Sequence, residues 1–421
     1  MIRPRARLVG SVVVGLLVAS GIATPRAQDG FHQEDGAGRV VAIGDIHGAY
    51  SSFVSILRLA GLLDDQGRWA GGRATLVQTG DILDRGAGVR PVMDLLMTLE
   101  RQAEAAGGRV IVLLGNHETM NLTRLLQDTS PAAIATFADD RSERRRAEAH
   151  EQYRRFVADR RRELGQDPPG VLTEEQWMQA HPPGLIEYLE ALSPDGVYGR
   201  WLRDKPIAVK VDGTLFVHGG LNPDFAESSV DRINRRARQD IERFDDTWEA
   251  LLDRDVVLPF FTFYEVLEAA RADLAAWVEA INAPLLPKST TFRDERYLEQ
   301  LVELLEIGDW SIVHTDGPLW FRGFATWSEE EGAPYIDELQ ERYDARRFVV
   351  AHTIAASHLI RPRFDDRVFL IDTGMLSEVY LNGQPSALEI TGDVVKPLYL
   401  NGPAPASGPP SGEVGELVPG P

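Results

Sequence analysis

Short apolar runs that stop at glycine-flanked polar residues recur along this chain. Val40-Val41-Ala42-Ile43 ends in Gly44-Asp45, Thr75-Leu76-Val77-Gln78-Thr79 in Gly80-Asp81, and Val110-Ile111-Val112-Leu113-Leu114 in Gly115-Asn116. Runs this short and this apolar predict buried strands that deliver polar residues at their C-terminal ends. Helical periodicity over residues 52–62 and 89–105 separates them. Strand, helix, strand, helix, strand is the pattern of an α/β fold, a sheet with helices packed on its faces.

After residue 120 the pattern changes. Arg/Glu/Ala-rich periodic stretches at 142–162 and 174–192 predict a helical insertion over about 120–200, and its charged run 141–146 reads as a solvated helix face. Strands resume at 207–211 and 215–217, the latter feeding His218-Gly219-Gly220. A helical region covers 231–281, another helix 297–305, and the last strands fall at 348–351, 368–372 and 387–390. The chain thus divides into a globular domain over 39–400 and a Pro/Gly/Ser-rich tail over 401–421, expected to be disordered.

At the N-terminus Arg3, Arg5 and Arg7 precede an apolar stretch over 8–23, and Pro25 breaks the pattern. That is the layout of an export signal, 1–27, followed by a flexible lead-in over 28–38. It predicts a periplasmic or secreted protein, with an uncleaved membrane anchor as the alternative. No later segment is long and apolar enough to span a bilayer.

Composition narrows the chemistry. The 421 residues are 43% hydrophobic, enough to bury a substantial core. Lys+Arg of 44 against Asp+Glu of 64 gives a net charge of -20, which argues against nucleic acid as a partner. Without cysteine there is no disulfide, thiolate nucleophile or sulfur ligand, so any metal must sit on nitrogen and oxygen.

Such ligands stand at the strand ends. A two-metal phosphoryl-transfer site needs carboxylate and imidazole ligands and one shared oxygen. Asp45 and His47, two apart, can face one ion; Asp81 is placed to bridge two; Asn116 offers a neutral oxygen to the second, where more negative charge would repel phosphate. His218 and His352, each following an apolar strand, are candidate nitrogen ligands for that second ion, against the alternative of structural histidines.

Together the blocks Gly44-Asp45-Ile46-His47-Gly48, Gly80-Asp81-Ile82-Leu83-Asp84-Arg85-Gly86, Gly115-Asn116-His117-Glu118, Val217-His218-Gly219-Gly220 and Ala351-His352-Thr353 resemble the phosphoprotein phosphatase branch of the calcineurin-like metallophosphoesterases. Within it they are most like the bacterial Shewanella-like phosphatases. The resemblance implies two mixed β-sheets packed as a sandwich flanked by helices. It implies Asp45, His47 and Asp81 on the first metal and Asp81, Asn116, His218 and His352 on the second. It also implies a metal-bridging water as nucleophile, His117 as general acid and Asp84 as its carboxylate partner. Arg85 and Arg322 are expected phosphate clamps, Arg322 through Trp320-Phe321-Arg322-Gly323, and Asn116 also faces the phosphate. Two divalent ions are expected, manganese first, with iron or zinc as alternatives.

The substrate implied is a phosphoprotein, with phosphotyrosine activity a group expectation. Ile371-Asp372-Thr373-Gly374-Met375 stands where serine/threonine phosphatases carry a Ser-Ala-Pro-Asn-Tyr-type loop, which favours the Shewanella-like group. A hydrolase of small phosphate esters or dinucleoside polyphosphates and a non-catalytic metal-binding protein remain alternatives. Glu118 is expected to make structural hydrogen bonds, His314 to be either pocket lining or structural, and His150, His181 and His358 to have no role at the site.

Overall fold

The computed structural model describes residues 38–164, 171–282, 295–400 and 402. The expected export signal, all of the lead-in before Gly38, and all of the tail except Gly402 lie outside the described residues. No described helix is long and apolar enough to cross a membrane.

Strands β1 (Arg39–Ile43), β2 (Thr75–Gln78) and β3 (Arg109–Val112) run parallel, with Val40 opposite Thr75 and Leu76 opposite Val110. Helix α1 (Tyr50–Leu59) makes the first crossover and α2 (Val89–Ala105) the second. Along α2 the buried residues Val89, Val92, Met93, Leu96, Leu99 and Ala103 recur at helical spacing. One face of α2 therefore covers the sheet while the other meets water. A short helix, α3 (Asn116–Leu122), follows β3 directly.

Five helices then form the inserted segment: α4 (Pro131–Ala135), α5 (Ser142–Leu164), α6 (Glu174–Ala180), α7 (Leu185–Leu192) and α8 (Val197–Arg203). The periodic stretch over 174–192 is interrupted at Pro182-Pro183, with Gly184 at φ +97°. Proline removes backbone donors, and only glycine takes that conformation at little cost. The run 141–146 is a solvated face only in part. Arg141 and Arg144 are exposed, but half-buried Arg145 bonds Glu187 on α7 and half-buried Arg146 bonds the Met178 carbonyl on α6, so two of its arginines hold the insertion together.

Strands β4 (Ala208–Val211) and β5 (Thr214–Val217) form a hairpin. Helices α9 (Val230–Asp253), α10 (Phe263–Asn282) and α11 (Glu295–Leu305) follow, so the helical region over 231–281 is two helices separated around Pro259. Beyond α12 (Gly323–Thr326) lies α13 (Glu329–Tyr343), which the hydrophobic pattern did not announce although Ser328 and Glu331 make a reciprocal cap at its start. The remaining strands are β6 (Arg347–Val350), β7 (Arg361–Arg363), β8 (Val368–Leu370), β9 (Ser386–Thr391) and β10 (Val394–Tyr399). Edge strands β7 and β10 were also not anticipated. Both carry proline and exposed positions, a mark of sheet edges rather than buried strands.

The strands make two mixed sheets, ordered β10-β9-β1-β2-β3 and β4-β5-β6-β8-β7. Helices flank this sandwich. In the first sheet β1, β2 and β3 are mutually parallel, and in the second β5, β6 and β8 are. Parallel strands present their C-terminal ends along one edge, where open α/β sheets place their sites. Contacts across the sheets bring the two edges together: His218 Nδ1 lies 2.9 Å from the Thr79 carbonyl, and the His352 amide donates to Asp45 Oδ1 at 3.3 Å.

Candidate active site

Each parallel strand ends in a polar side chain at this shared edge. Asp45 and His47 follow β1, Asp81 follows β2, Asn116 follows β3, His218 follows β5 and His352 follows β6; all are buried. The backbone is strained to achieve this. His47, Asp81, Asp84, Arg85 and His352 have φ of 46°, 56°, 66°, 63° and 64°, a left-handed conformation that non-glycine residues adopt at a cost and that clusters at functional sites. Gly80 and Gly115 allow the close approach of the β2 and β3 loops. A Cβ on Gly80 would lie 2.4 Å from the Gly115 nitrogen, and one on Gly115 would lie 2.1 Å from Asp81 Oδ1.

Asp81 is central. Its carboxylate lies 3.3 Å from His218 Nε2, 3.7 Å from His47 Nε2 and 3.8 Å from His117 Nε2. Two groups of potential ligand atoms, each within 4.8 Å of one another, share it: His47, Asp81 and His117, and Asp81, His218 and His352. Asp45 Oδ2 stands 3.9 Å from His47 Nε2 on the first side, and Asn116 Oδ1 2.8 Å from His218 Nε2 on the second.

The donor chemistry fits cations. His47 Nδ1 is bonded to the Leu83 carbonyl at 2.8 Å and His218 Nδ1 to that of Thr79, which places each ring's proton on Nδ1 and leaves an Nε2 lone pair facing the site. His218 Nε2 then faces Asn116 Oδ1, acceptor against acceptor. His352 Nε2 is buried with no partner among the described residues. Burial first, then neighbouring positive groups, hold His47 and His352 well below the usual histidine range, so both are neutral and able to ligate. Burial, then Asp372 and Asp81, push the Asp45 carboxyl well above its usual range, since buried carboxyls side by side cannot all ionise without a compensating cation. Burial opposes ionisation of Asp81 too, but the imidazoles facing it, His218 before His117, hold it well below the usual range.

Beside these groups His117 Nδ1 bonds Asp84 Oδ2 at 2.7 Å. Burial works against the charged imidazole, yet Asp81 and Asp84 outweigh it and raise His117 to about 9. Arg85 spans the front of the site, Nη1 2.9 Å from His47 Nε2 and Nη2 3.2 Å from His117 Nε2. At His47 its donor meets a ring lone pair rather than a carboxylate, and a phosphate oxygen is the stronger acceptor. Arg322 Nη1 donates to the His352 carbonyl at 3.1 Å and to Thr353 Oγ1 at 2.9 Å, on the opposite flank.

Glu118 is structural in form: Oε2 accepts from the Asp81 and Gly115 amides at 2.7 Å, and Oε1 from those of Ile82 and Leu83 at 2.9 and 3.0 Å. His314 stacks on Phe225 with an interplanar angle of 6°. His150 and His181 pack on Trp177 within the insertion, and His358 Nδ1 lies 3.3 Å from the Thr373 carbonyl.

Several neighbours were missed in the sequence. Asp372, at the end of β8, is buried with its carboxyl against that of Asp45, and the same strand-end pattern that singled out the other residues contained it. Tyr380 lies with its ring 5.4 Å from the Arg85 guanidinium, Asn121 and Thr129 donate to Asp84, and Tyr188 donates to Asn121. No local pattern marks these.

Residues 38–277 match the family model of the calcineurin-like phosphoesterases. The chain belongs to this family. It is a metal-dependent phosphatase of a family that typically holds two divalent ions, and two candidate groups of ligands meet at its Asp81. This calcineurin-like phosphoesterase is 28% identical over 371 residues to Shewanella-like protein phosphatase 1 of Plasmodium berghei (strain Anka), covering 86% of this chain and 74% of that one. It is 33% identical over 218 residues to Shewanella-like protein phosphatase 2 of Arabidopsis thaliana, covering 49% of this chain and 52% of that one. In fold it is similar to a cold-active protein tyrosine phosphatase, with TM-score 0.50 and 21% identity over 88% of this chain and 78% of that one.

Proposed function

We propose that this phosphoesterase hydrolyses phosphate monoesters with Asp45, His47 and Asp81 on one divalent cation and Asp81, Asn116, His218 and His352 on the other. His117 is the general acid, and phosphoproteins, phosphotyrosine included, are the substrates. The observation that carries this reading is the sharing of Asp81 by two ligand groups directly beside the His117–Asp84 pair. His117 also falls within ligand distance, but its Nδ1 is committed to Asp84 and its raised proton affinity suits a donor rather than a ligand.

The chemistry two divalent cations supply in such a site is Lewis acidity toward phosphoryl oxygens and a water acidic enough to attack near neutral pH. Arg85 and Arg322, on opposite flanks, orient the phosphoryl group through guanidinium forks that match its oxygens. His117 gives its Nε2 proton to the departing oxygen, while Asp84 holds Nδ1–H and stabilises the ring's charged form beforehand. The aromatic face of Tyr380 beside Arg85 and the fold shared with a cold-active protein tyrosine phosphatase support an aryl phosphate, hence phosphotyrosine.

The test is p-nitrophenyl phosphate hydrolysis by metal-stripped protein given manganese, beside Asp81→Asn. Turnover that requires metal and disappears in the variant supports the reading; folded, metal-loaded and inactive protein overturns it. Phosphotyrosine, phosphoserine and phosphothreonine peptides assayed beside nucleotides then decide the substrate class. We also propose export through residues 1–27, checked by fractionating cells that express the full chain: product confined to the cytoplasm at full mass contradicts it.

A further inference from the structure

We infer that Tyr188, on α7 of the helical insertion, is a positioning residue for the phosphatase reaction, acting through Asn121 and Asp84 on His117. This rests on the general-acid reading of His117 proposed above. Tyr188 is fully buried, and its hydroxyl donates to Asn121 Oδ1 at 2.6 Å. The direction of every bond in the chain is determined. Asn121 Nδ2 is spent on both oxygens of Asp84, at 2.9 Å each, and on the His117 carbonyl at 2.9 Å, so its amide oxygen must be the acceptor that faces Tyr188. Thr129 Oγ1 adds a second donor to Asp84 Oδ1 at 2.6 Å; it also lies 3.3 Å from Asn121 Oδ1, but its one hydrogen goes to the carboxylate. Asp84 Oδ2 then meets His117 Nδ1 at 2.7 Å.

A phenol hydroxyl in an apolar core costs stability unless it is bonded. Phe137 packs edge-on against the Tyr188 ring with centroids 4.9 Å apart, so a phenylalanine would fill the same space without the polar atom. What the hydroxyl adds is a fixed amide orientation at Asn121, hence a fixed carboxylate at Asp84. General acid catalysis depends on such aim, because the proton must lie within hydrogen-bond reach of the departing oxygen. The insertion is thereby coupled to the reaction from behind the site, and Tyr188 itself touches no reacting atom.

The experiment uses the full chain loaded with manganese and compares kcat for phenyl phosphate, a poor leaving group, with p-nitrophenyl phosphate, a good one. A good leaving group needs little protonation, so loss of acid aim shows mainly on the poor one. His117→Asn sets the reference. Tyr188→Phe is expected to lower kcat for phenyl phosphate about tenfold and for p-nitrophenyl phosphate less than about threefold, with KM unchanged, a fraction of the roughly 100- to 10,000-fold worth of a general acid. In an Asp84→Asn background the same change is expected to have no further effect. Equal losses on both substrates, no loss, or full additivity with Asp84→Asn overturn the inference and leave Tyr188 a packing residue. If Tyr188→Phe is too unstable to assay, Thr129→Val must show the same leaving-group dependence, and a uniform loss there counts against the relay. If His117→Asn shows no leaving-group dependence, the general-acid reading itself fails and this inference falls with it.

Discussion

A proton and a carboxylate in fixed relation explain most of what single residues do in this site. His117 is held above its ordinary proton affinity by Asp81 and Asp84 against the effect of burial. The folded-state value of about 9 exceeds the unfolded one, so His117 contributes stability that is fully present below about pH 6.5 and is lost as pH rises through about 9. In metal-stripped protein, urea unfolding of wild type against His117→Asn should therefore show a larger difference at pH 6 than at pH 9.5. Glu118 makes the opposite kind of prediction. Its carboxylate accepts only from backbone amides, and Glu118→Gln turns a donor toward donors. The expected loss is about 2–3 kcal/mol of unfolding free energy, read from the urea midpoint. A catalytic base would instead lose turnover at unchanged stability.

At the scale of elements, the loops after β2 and β3 depend on glycine rather than on side-chain contacts. Gly80 has φ +97° and its Cβ position is occupied by the Gly115 backbone, so Gly80→Ala should cost more than about 1 kcal/mol and also reduce metal-dependent activity by displacing Asp81. Thermal melts with and without manganese separate the two effects. Ser328 caps α13, and Ser328→Ala should cost about 1 kcal/mol with activity intact. The buried strands and the long amphipathic α2 were legible because their apolar periodicity is local. Helix α3 was not, because Asn116-His117-Glu118 reads as a strand-end loop until Glu118 is seen accepting from the Gly115 amide at its start. The breaks at Pro182-Pro183 and near Pro259 were legible in principle, since proline interrupts a helical pattern wherever it falls inside one.

For the whole molecule, the two sheets share an edge where carboxylates and neutral imidazoles crowd together, an arrangement that cations relieve. Removing divalent ions with a chelator should lower the melting temperature, and manganese should restore it; ligand at a hundred times its Kd is worth about 2.7 kcal/mol. The net charge of -20 repels acidic substrates at long range while Arg85 and Arg322 attract phosphate locally. Consequently kcat/KM for a strongly acidic phosphopeptide should rise between about 10 and 150 mM salt, as screening shortens from ~30 to ~8 Å, more than for a neutral peptide around the same phosphoresidue.

The amino-acid sequence by itself determined the α/β class, the apolar strands and the polar residues at their ends, because each of these is a short-range pattern in which neighbours along the chain decide the outcome. It also singled out Asp45, His47, Asp81, Asp84, Arg85, Asn116, His117, His218, Arg322 and His352 as residues that the fold brings to one edge. Only the tertiary structure decided which of them touch, that Asp81 stands between the imidazoles of both sheets, and that Asp372 lies against Asp45. It alone decided that Tyr188, 67 residues from Asn121, reaches Asp84 through that amide. Contacts over such separations depend on how two sheets and an inserted helical segment pack, and no periodicity along the chain records them.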